Sequence, residues 1–259
     1  MTATEPGTPL VVLDDLCIHA RRASDGTRQP DRALVDGVSL TIRAGRITAL
    51  VGHSGSGKSL TARAILGVVD VEPGLVRGSL RYPELTGDLD WLAGVRGARA
   101  QRRLQHRTAQ YRGSYTSYAP QSAASALNPG RTIGRQLELA LARRAAPPSD
   151  RAGEIRRILD EVGLPPRTAA ALPTELSGGM AQRAALAIAV APAPRVMIAD
   201  EPETGLDPVL RRVVTELMVQ VAADHQVALL LITHNMDTVH RIADDVVRIA
   251  AGAAAGSAA

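Results

Sequence analysis

Three short segments of this sequence gather residues that bind anions, cations and water. The first is Gly52–His53–Ser54–Gly55–Ser56–Gly57–Lys58–Ser59, spaced G-x-x-x-x-G-K-S. A triphosphate needs many donors close to its oxygens, and glycines let backbone N–H groups turn inward and approach them. A helix opening at Leu60 would add its positive N-terminal end. In such a loop Lys58 reaches the β- and γ-phosphates, and the Ser59 hydroxyl suits Mg²⁺. Lys58 is the only lysine among 30 basic residues. A chain that uses Arg elsewhere keeps one compact ammonium where a planar guanidinium does not fit.

The second segment is Val196–Met197–Ile198–Ala199–Asp200–Glu201. An apolar strand delivers two carboxylates at its C-terminal end, where ligands sit in open α/β sheets. Asp200 suits Mg²⁺, directly or through water. Glu201 can polarise the water that attacks a γ-phosphate. Taken alone, a strand ending in Asp-Glu is commonly a solvated turn. The third segment is Leu176–Ser177–Gly178–Gly179–Met180, with Gln182 and Arg183 behind it. Ser before two glycines at a helix start makes a second anion cradle. Taken alone, it is an ordinary N-cap. Gln121, after Pro120, offers an amide to Mg²⁺ or water, and His234 follows another apolar run, Val227 to Thr233.

The elements that must position these residues alternate. Val11 to Ile18, Ala33 to Ile42 and Arg46 to Val51 read as strands, with a turn expected near Gly26 and Pro30. Leu60 to Val69, Ile133 to Ala146, Arg151 to Val162, Ser177 to Val190 and Leu210 to Ala222 read as helices, and Val196 to Ala199 and Val227 to Ile232 as buried strands. Strands alternating with helices predict an α/β fold with a mainly parallel sheet. Val76 to Ala119 shows no clear period, and the tail after Ala250 holds only Ala, Gly and Ser and is expected to be flexible.

The bulk properties set limits. A chain of 259 residues, 45% hydrophobic, can bury one α/β core with an inserted subdomain. A net charge of +4 is no nucleic-acid signature, and the basic run Arg99 to Arg112 suits a solvated helical face. The lone Cys17 excludes an internal disulfide. Met1 to Pro9 lacks a signal-peptide layout, and no apolar run approaches the roughly 18 residues of a membrane span. A membrane partner would be another polypeptide.

In this order the segments resemble the ABC transporter ATPase family. GHSGSGKS is similar to its Walker A, VMIADE to its Walker B with the catalytic glutamate, and LSGGM to its signature sequence. Gly205–Leu206–Asp207 resembles the D-loop, Gln121 the Q-loop and His234 the switch histidine, and the resemblance runs from about Val11 to Gly252. It implies a P-loop NTPase core of RecA-like type, with an antiparallel β subdomain and an inserted helical subdomain. The implied parts are the N-terminal core with the β subdomain (1–121), the helical subdomain (122–191), the C-terminal core (192–252) and a flexible tail (253–259). ATP and Mg²⁺ are the implied cofactors. Gly52, Ser54, Gly55, Ser56, Gly57, Lys58, Ser59, Leu60, Gln121, Ser177, Gly178, Gly179 and Asp207 would contact nucleotide. Ser59, Gln121 and Asp200 would serve the metal, and Glu201 and His234 catalysis. The family pairs two cassettes head to tail, so that each ATP lies between one loop and the partner's signature.

Ala126–Leu127–Asn128–Pro129, LSGGMAQR and IADEP are similar to the oligopeptide, dipeptide and nickel importer branch. That branch implies a second, different ATPase subunit, two transmembrane permeases, an extracytoplasmic binding protein and a place at the cytoplasmic face of the membrane. The segment from Gln121 to Arg135 would be the coupling surface. Cassettes acting in translation or DNA repair commonly hold two cassettes or long coiled coils; this chain has neither. His53 and Glu203 stand where the branch commonly has Glu and Thr, and Ala20, beside His19, where the family places a ring under adenine.

Overall fold

Leu10, Val11, Leu13, Leu16, Cys17 and Ile18 are all buried, so the strand that carries them must be covered on both faces. That strand, β1 (Pro9–Ala20), runs between β4 (Arg32–Arg43) and β6 (Pro73–Arg81) in an antiparallel sheet. Its register shifts between Leu13 and Leu16, where Asp15 takes a φ of 47°. The bulge turns two successive acids outward to Arg81 and Arg77 and returns Leu16 and Cys17 to the core.

The coordinates are a computed structural model, which describes residues 5–20, 23–24, 27–28, 32–121, 126–250 and 253–255. The chain divides into two units, residues 1–110 with 232–259, and residues 111–231.

The first unit holds the antiparallel sheet and a parallel pair, β5 (Ile47–Gly52) with β10 (Asp245–Ala250). Helix α1 (Lys58–Ile65) follows β5. It starts two residues before the expected Leu60 and stops at Leu66–Gly67, where Gly67 (φ 70°) lies against Thr108. The stretch without a clear period resolves into β6, the short α2 (Pro83–Thr86) and α3 (Gly97–Thr108) in this unit. Gly74 and Gly78 interrupt the apolar pattern of β6, which is why its strand character was not legible. On α3, Ala100, Gln101, Leu104 and Thr108 are buried and Arg102, Arg103 and Arg107 face solvent, as expected of the basic run. β2 (Ala23–Ser24) and β3 (Thr27–Arg28) pair antiparallel; Gly26 and Pro30 lie outside the described residues. Part of the tail, β11 (Ala253–Ala255), pairs antiparallel with β10.

In the second unit β7 (Thr116–Ala119) runs parallel to β8 (Val196–Asp200); β9 (Ala228–Thr233), of which residues 228–231 belong to this unit, is bonded next to β8. Helices α4 (Ile133–Leu141), α5 (Arg151–Glu161) and α6 (Gly178–Val190) pack together, and α7 (Pro208–Asp224) packs on α6. Each is capped by a side chain: Thr132, Asp150, Ser177 and Asp207 accept first-turn N–H bonds. Arg144 joins the bundle, pairing with Glu154 at 2.8 Å and donating to the Ala191 carbonyl at 2.6 Å.

Candidate functional site

The glycine loop lies in the first unit, between β5 and α1. Gly52 cannot carry a side chain, because a Cβ there would sit 2.5 Å from the Ile249 carbonyl oxygen and 2.7 Å from Ser56 Oγ. Gly55 and Gly57 take φ values of 78° and 94°, in the left-handed region that favours glycine. Gly57 is the N-cap of α1, with no side-chain cap and no acid in the first turn. The helix therefore presents its first N–H groups and positive dipole end to an anion. Lys58 is buried and folds back over the loop, donating to the carbonyls of Gly52 (2.9 Å) and His53 (3.0 Å). Ser54, Gly55 and Ser59 are exposed, and Leu60 is half-buried. The Ser56 hydroxyl is buried with no partner among the described residues. A donor-rich loop with an orphaned hydroxyl and an uncapped helix start fits a polyphosphate.

His234 belongs to the same unit. It is exposed between β9 and α8 (Met236–Ile242), whose N-cap Asn235 accepts from the N–H groups of Asp237 and Thr238.

The carboxylates lie in the second unit, at the end of β8. Asp200 is 3% exposed. Its Oδ2 accepts from the Tyr118 hydroxyl at 2.8 Å, and its Oδ1 has no partner among the described residues. A buried, half-satisfied carboxylate fits a cation. No three His, Cys, Asp or Glu converge among the described residues. Glu201 has a φ of 46°, a left-handed conformation that is strained for a non-glycine residue. Its Oε2 accepts from Thr204 Oγ1 (3.1 Å) and Gln121 Nε2 (3.3 Å), so Gln121, expected to offer its amide to Mg²⁺ or water, here bonds Glu201.

Ser177 and Gly178 are exposed at the start of α6, where Ser177 Oγ accepts from the Met180 N–H at 3.3 Å. Gly179 serves packing as well: a Cβ would meet Leu210 at 2.9 Å. Asp207 caps α7, accepting from Val209 and Leu210 N–H groups at 3.0 Å. Glu203 is buried 4.0 Å from Arg211.

Sequence reasoning missed Tyr118, Thr204 and Gln136. Gln136 is a buried amide on α4 that clamps Asn128 and Arg131 through three hydrogen bonds of 2.9–3.1 Å. A glutamine on the apolar face of a helix is the signal that could have found it. Beside it a groove of about 580 Å³ is lined by Leu127, Leu139 and Ile188, with Arg112, Arg131 and Arg143 around them. Residues 122–125 of the expected coupling segment lie outside the described residues.

An uncapped glycine loop after a parallel strand, with carboxylates ending another, defines a phosphate-binding α/β cassette. The family model described as ABC transporter matches residues 35–204, and the chain belongs to that family. It is 34% identical over 224 residues to the oligopeptide transport ATP-binding protein OppD of Lactococcus lactis subsp. cremoris, covering 85% of this chain and 62% of that protein. The chain thus spans less than two thirds of that relative's length. It is 38% identical over 226 residues to the nickel import ATP-binding protein NikD of Rhodospirillum rubrum, covering 85% of this chain and 77% of the relative. Among solved structures, the dimeric cassette MJ0796 bound to ADP and Pi matches with a TM-score of 0.73 at 22% identity, over 93% of this chain and 95% of that one. That likeness shows the fold: an ABC ATPase α/β architecture with a parallel sheet and an antiparallel β subdomain. Among the described residues no helix is long and apolar enough to cross a membrane.

Proposed function

We propose that this chain binds and hydrolyses ATP as the motor subunit of an importer for small peptides or nickel and metal chelates, moved through separate permease subunits. The observation that carries the reading is the uncapped, left-handed Gly57 start of α1 beside Lys58, in a chain of the ABC transporter family. The loop N–H groups and Lys58 neutralise the phosphates. Ser59, Gln121 and Asp200 are the residues that would hold Mg²⁺, which when bound would draw charge from the phosphate oxygens. Glu201 takes a proton from the attacking water, and His234 orients the γ-phosphate.

Ser177, Gly178, Gly179 and Asp207 serve the nucleotide of a second cassette paired head to tail. Their exposure or half-exposure and the acid-free first turn of α6 support this. The part of the chain from 122 to 191 acts as the helical subdomain, between core segments 1–121 and 192–252. The groove beside Gln136 receives the permease at the cytoplasmic face of the membrane, where the subunit is peripheral. The peptide and nickel relatives support the cargo class. An extracytoplasmic binding protein contacts the solute, and nucleic acid has no role.

The test uses Glu201→Gln. The variant is expected to lose steady-state hydrolysis while retaining ATP and an ATP-dependent dimer. Unchanged turnover would remove Glu201 from its role. Capture of the tagged variant with ATP from solubilised native membranes is expected to recover two permeases and a second cassette. Recovery of ribosomal or DNA-bound proteins without a permease overturns the transport reading.

A further inference from the structure

β7 and β8 run parallel with Tyr118 opposite Ile198, so the phenol lies close to the end of the neighbouring strand, where Asp200 emerges. Its hydroxyl donates to Asp200 Oδ2 at 2.8 Å. The other oxygen, Oδ1, is buried and receives no hydrogen bond among the described residues. Leaving one oxygen of a 3%-exposed carboxylate bare is costly unless a cation meets it. The phenol fixes the rotation of the carboxylate about its Cβ–Cγ bond. It also occupies Oδ2, so the group offers one oxygen rather than a chelating pair. Mg²⁺ demands near-ideal octahedral geometry and takes carboxylates sparingly, so a single aimed oxygen suits it. Such outer partners of a ligating group typically govern metal affinity about 10-fold or more.

We propose that Tyr118 is a positioning residue for the metal, holding Asp200 so that Oδ1 alone is presented to Mg²⁺. The proposal rests on the reading of Asp200 as a metal-binding residue. It concerns a contact 82 residues apart in the chain that none of the three chemistry-bearing segments contains.

The test uses Mn²⁺ as a spin probe for Mg²⁺. Free Mn²⁺ is followed by electron paramagnetic resonance as it is titrated into the full chain saturated with a non-hydrolysable ATP analogue. Tyr118→Phe removes only the hydroxyl and is expected to weaken Mn²⁺ binding about 10-fold. Tyr118→Met, also without a donor, should show the same loss. Affinity for the analogue in excess EDTA should not change in either variant, because the loop of the first unit holds the phosphates. Wild-type or tighter Mn²⁺ binding in both variants, with Asp200→Asn still weakened, overturns the role of Tyr118. Wild-type binding in Asp200→Asn overturns the reading of Asp200, and the proposal with it.

Discussion

Three glycines of the phosphate loop separate two physical reasons for lacking a side chain. Gly55 has a φ of 78° but open space around its Cα, so Gly55→Ala meets backbone strain alone. Gly52 has no positive φ, yet an added Cβ would stand 2.5 Å from the Ile249 carbonyl oxygen, so Gly52→Ala meets crowding alone. Gly57 has both, with a φ of 94° and a Cβ 2.5 Å from the Leu34 carbonyl oxygen and 2.7 Å from Val35 Cγ2. A left-handed alanine costs about 1 kcal/mol. Overpacking against backbone costs about 1–3 kcal/mol. Gly57→Ala should therefore cost about 2–4 kcal/mol, with both effects acting. Urea unfolding of the three variants is expected to rank them Gly55→Ala, Gly52→Ala, Gly57→Ala in order of increasing loss. Thermal midpoints should follow at about 2–4 °C per kcal/mol. A Gly57→Ala variant no less stable than Gly55→Ala would refute the close-approach argument, since strain alone would then account for both.

Two further outcomes follow from charge and burial. Burial pushes the Cys17 thiol from its ordinary 9.0 up to about 11, with its S–H donated to Asp36 at 3.2 Å. Native protein at pH 8 should resist iodoacetamide and react once unfolded in urea. The raised value also means that this site's contribution to stability is present below pH 9.0 and lost as pH rises toward about 11. Glu154 is held down from 4.5 to about 2, first by its hydrogen bonds from Arg157 and then by Arg144. Its contribution is present above pH 4.5 and lost as pH falls toward about 2. The stability gap between wild type and Glu154→Gln, measured by urea unfolding, should therefore close over that acid window.

The loop and the carboxylates were legible because each is contiguous: an anion cradle needs donors at fixed spacing, and a strand end delivers adjacent side chains. Gly52–Ser59 and Asp200–Glu201 stand in the local settings their spacing implies, a strand–loop–helix turn and a strand end. Contacts between distant segments were not legible. Tyr118 reaches Asp200 across 82 residues, and no local period marks a strand tyrosine as a donor to a carboxylate. Glu201's left-handed backbone is equally invisible, because φ is set by the turn through Thr204 and not by residue type. Ser177 shows how two readings coincide: its hydroxyl is an ordinary N-cap, yet the helix start it caps stays exposed and free of acids. β6 failed as a sequence pattern because glycines and Pro73 interrupt it, although its pairing with β1 is extensive.

The structure also bears on how a base would be held. Gly57 lies against Leu34, whose neighbours Ala33 and Val35 pair with His19 and Ile18 of β1. The end of β1 therefore runs beside the phosphate loop within one unit. Among the described residues β1 ends in His19 and Ala20, and the chain has no Phe. The unit's Tyr82 and Trp91 are no substitute: both are buried, packed edge to face at 6.2 Å, with the Arg107 guanidinium 4.9 Å from the Trp91 ring centre. Stacking a base on an aromatic ring is worth about 1–3 kcal/mol, or roughly 5- to 150-fold in affinity. With no large ring at the end of β1 among the described residues, the phosphates, which ATP and GTP share, are expected to supply most of the binding. Displacement of a fluorescent ATP analogue is expected to give affinities for ATP and GTP within about 5-fold of each other. Ala20→Tyr should restore a ring and tighten ATP by about 5-fold or more, with tripolyphosphate unchanged. A wild-type preference for ATP of about 100-fold, untouched by Ala20→Tyr, would mean that the base is read by hydrogen bonds from groups away from this strand end.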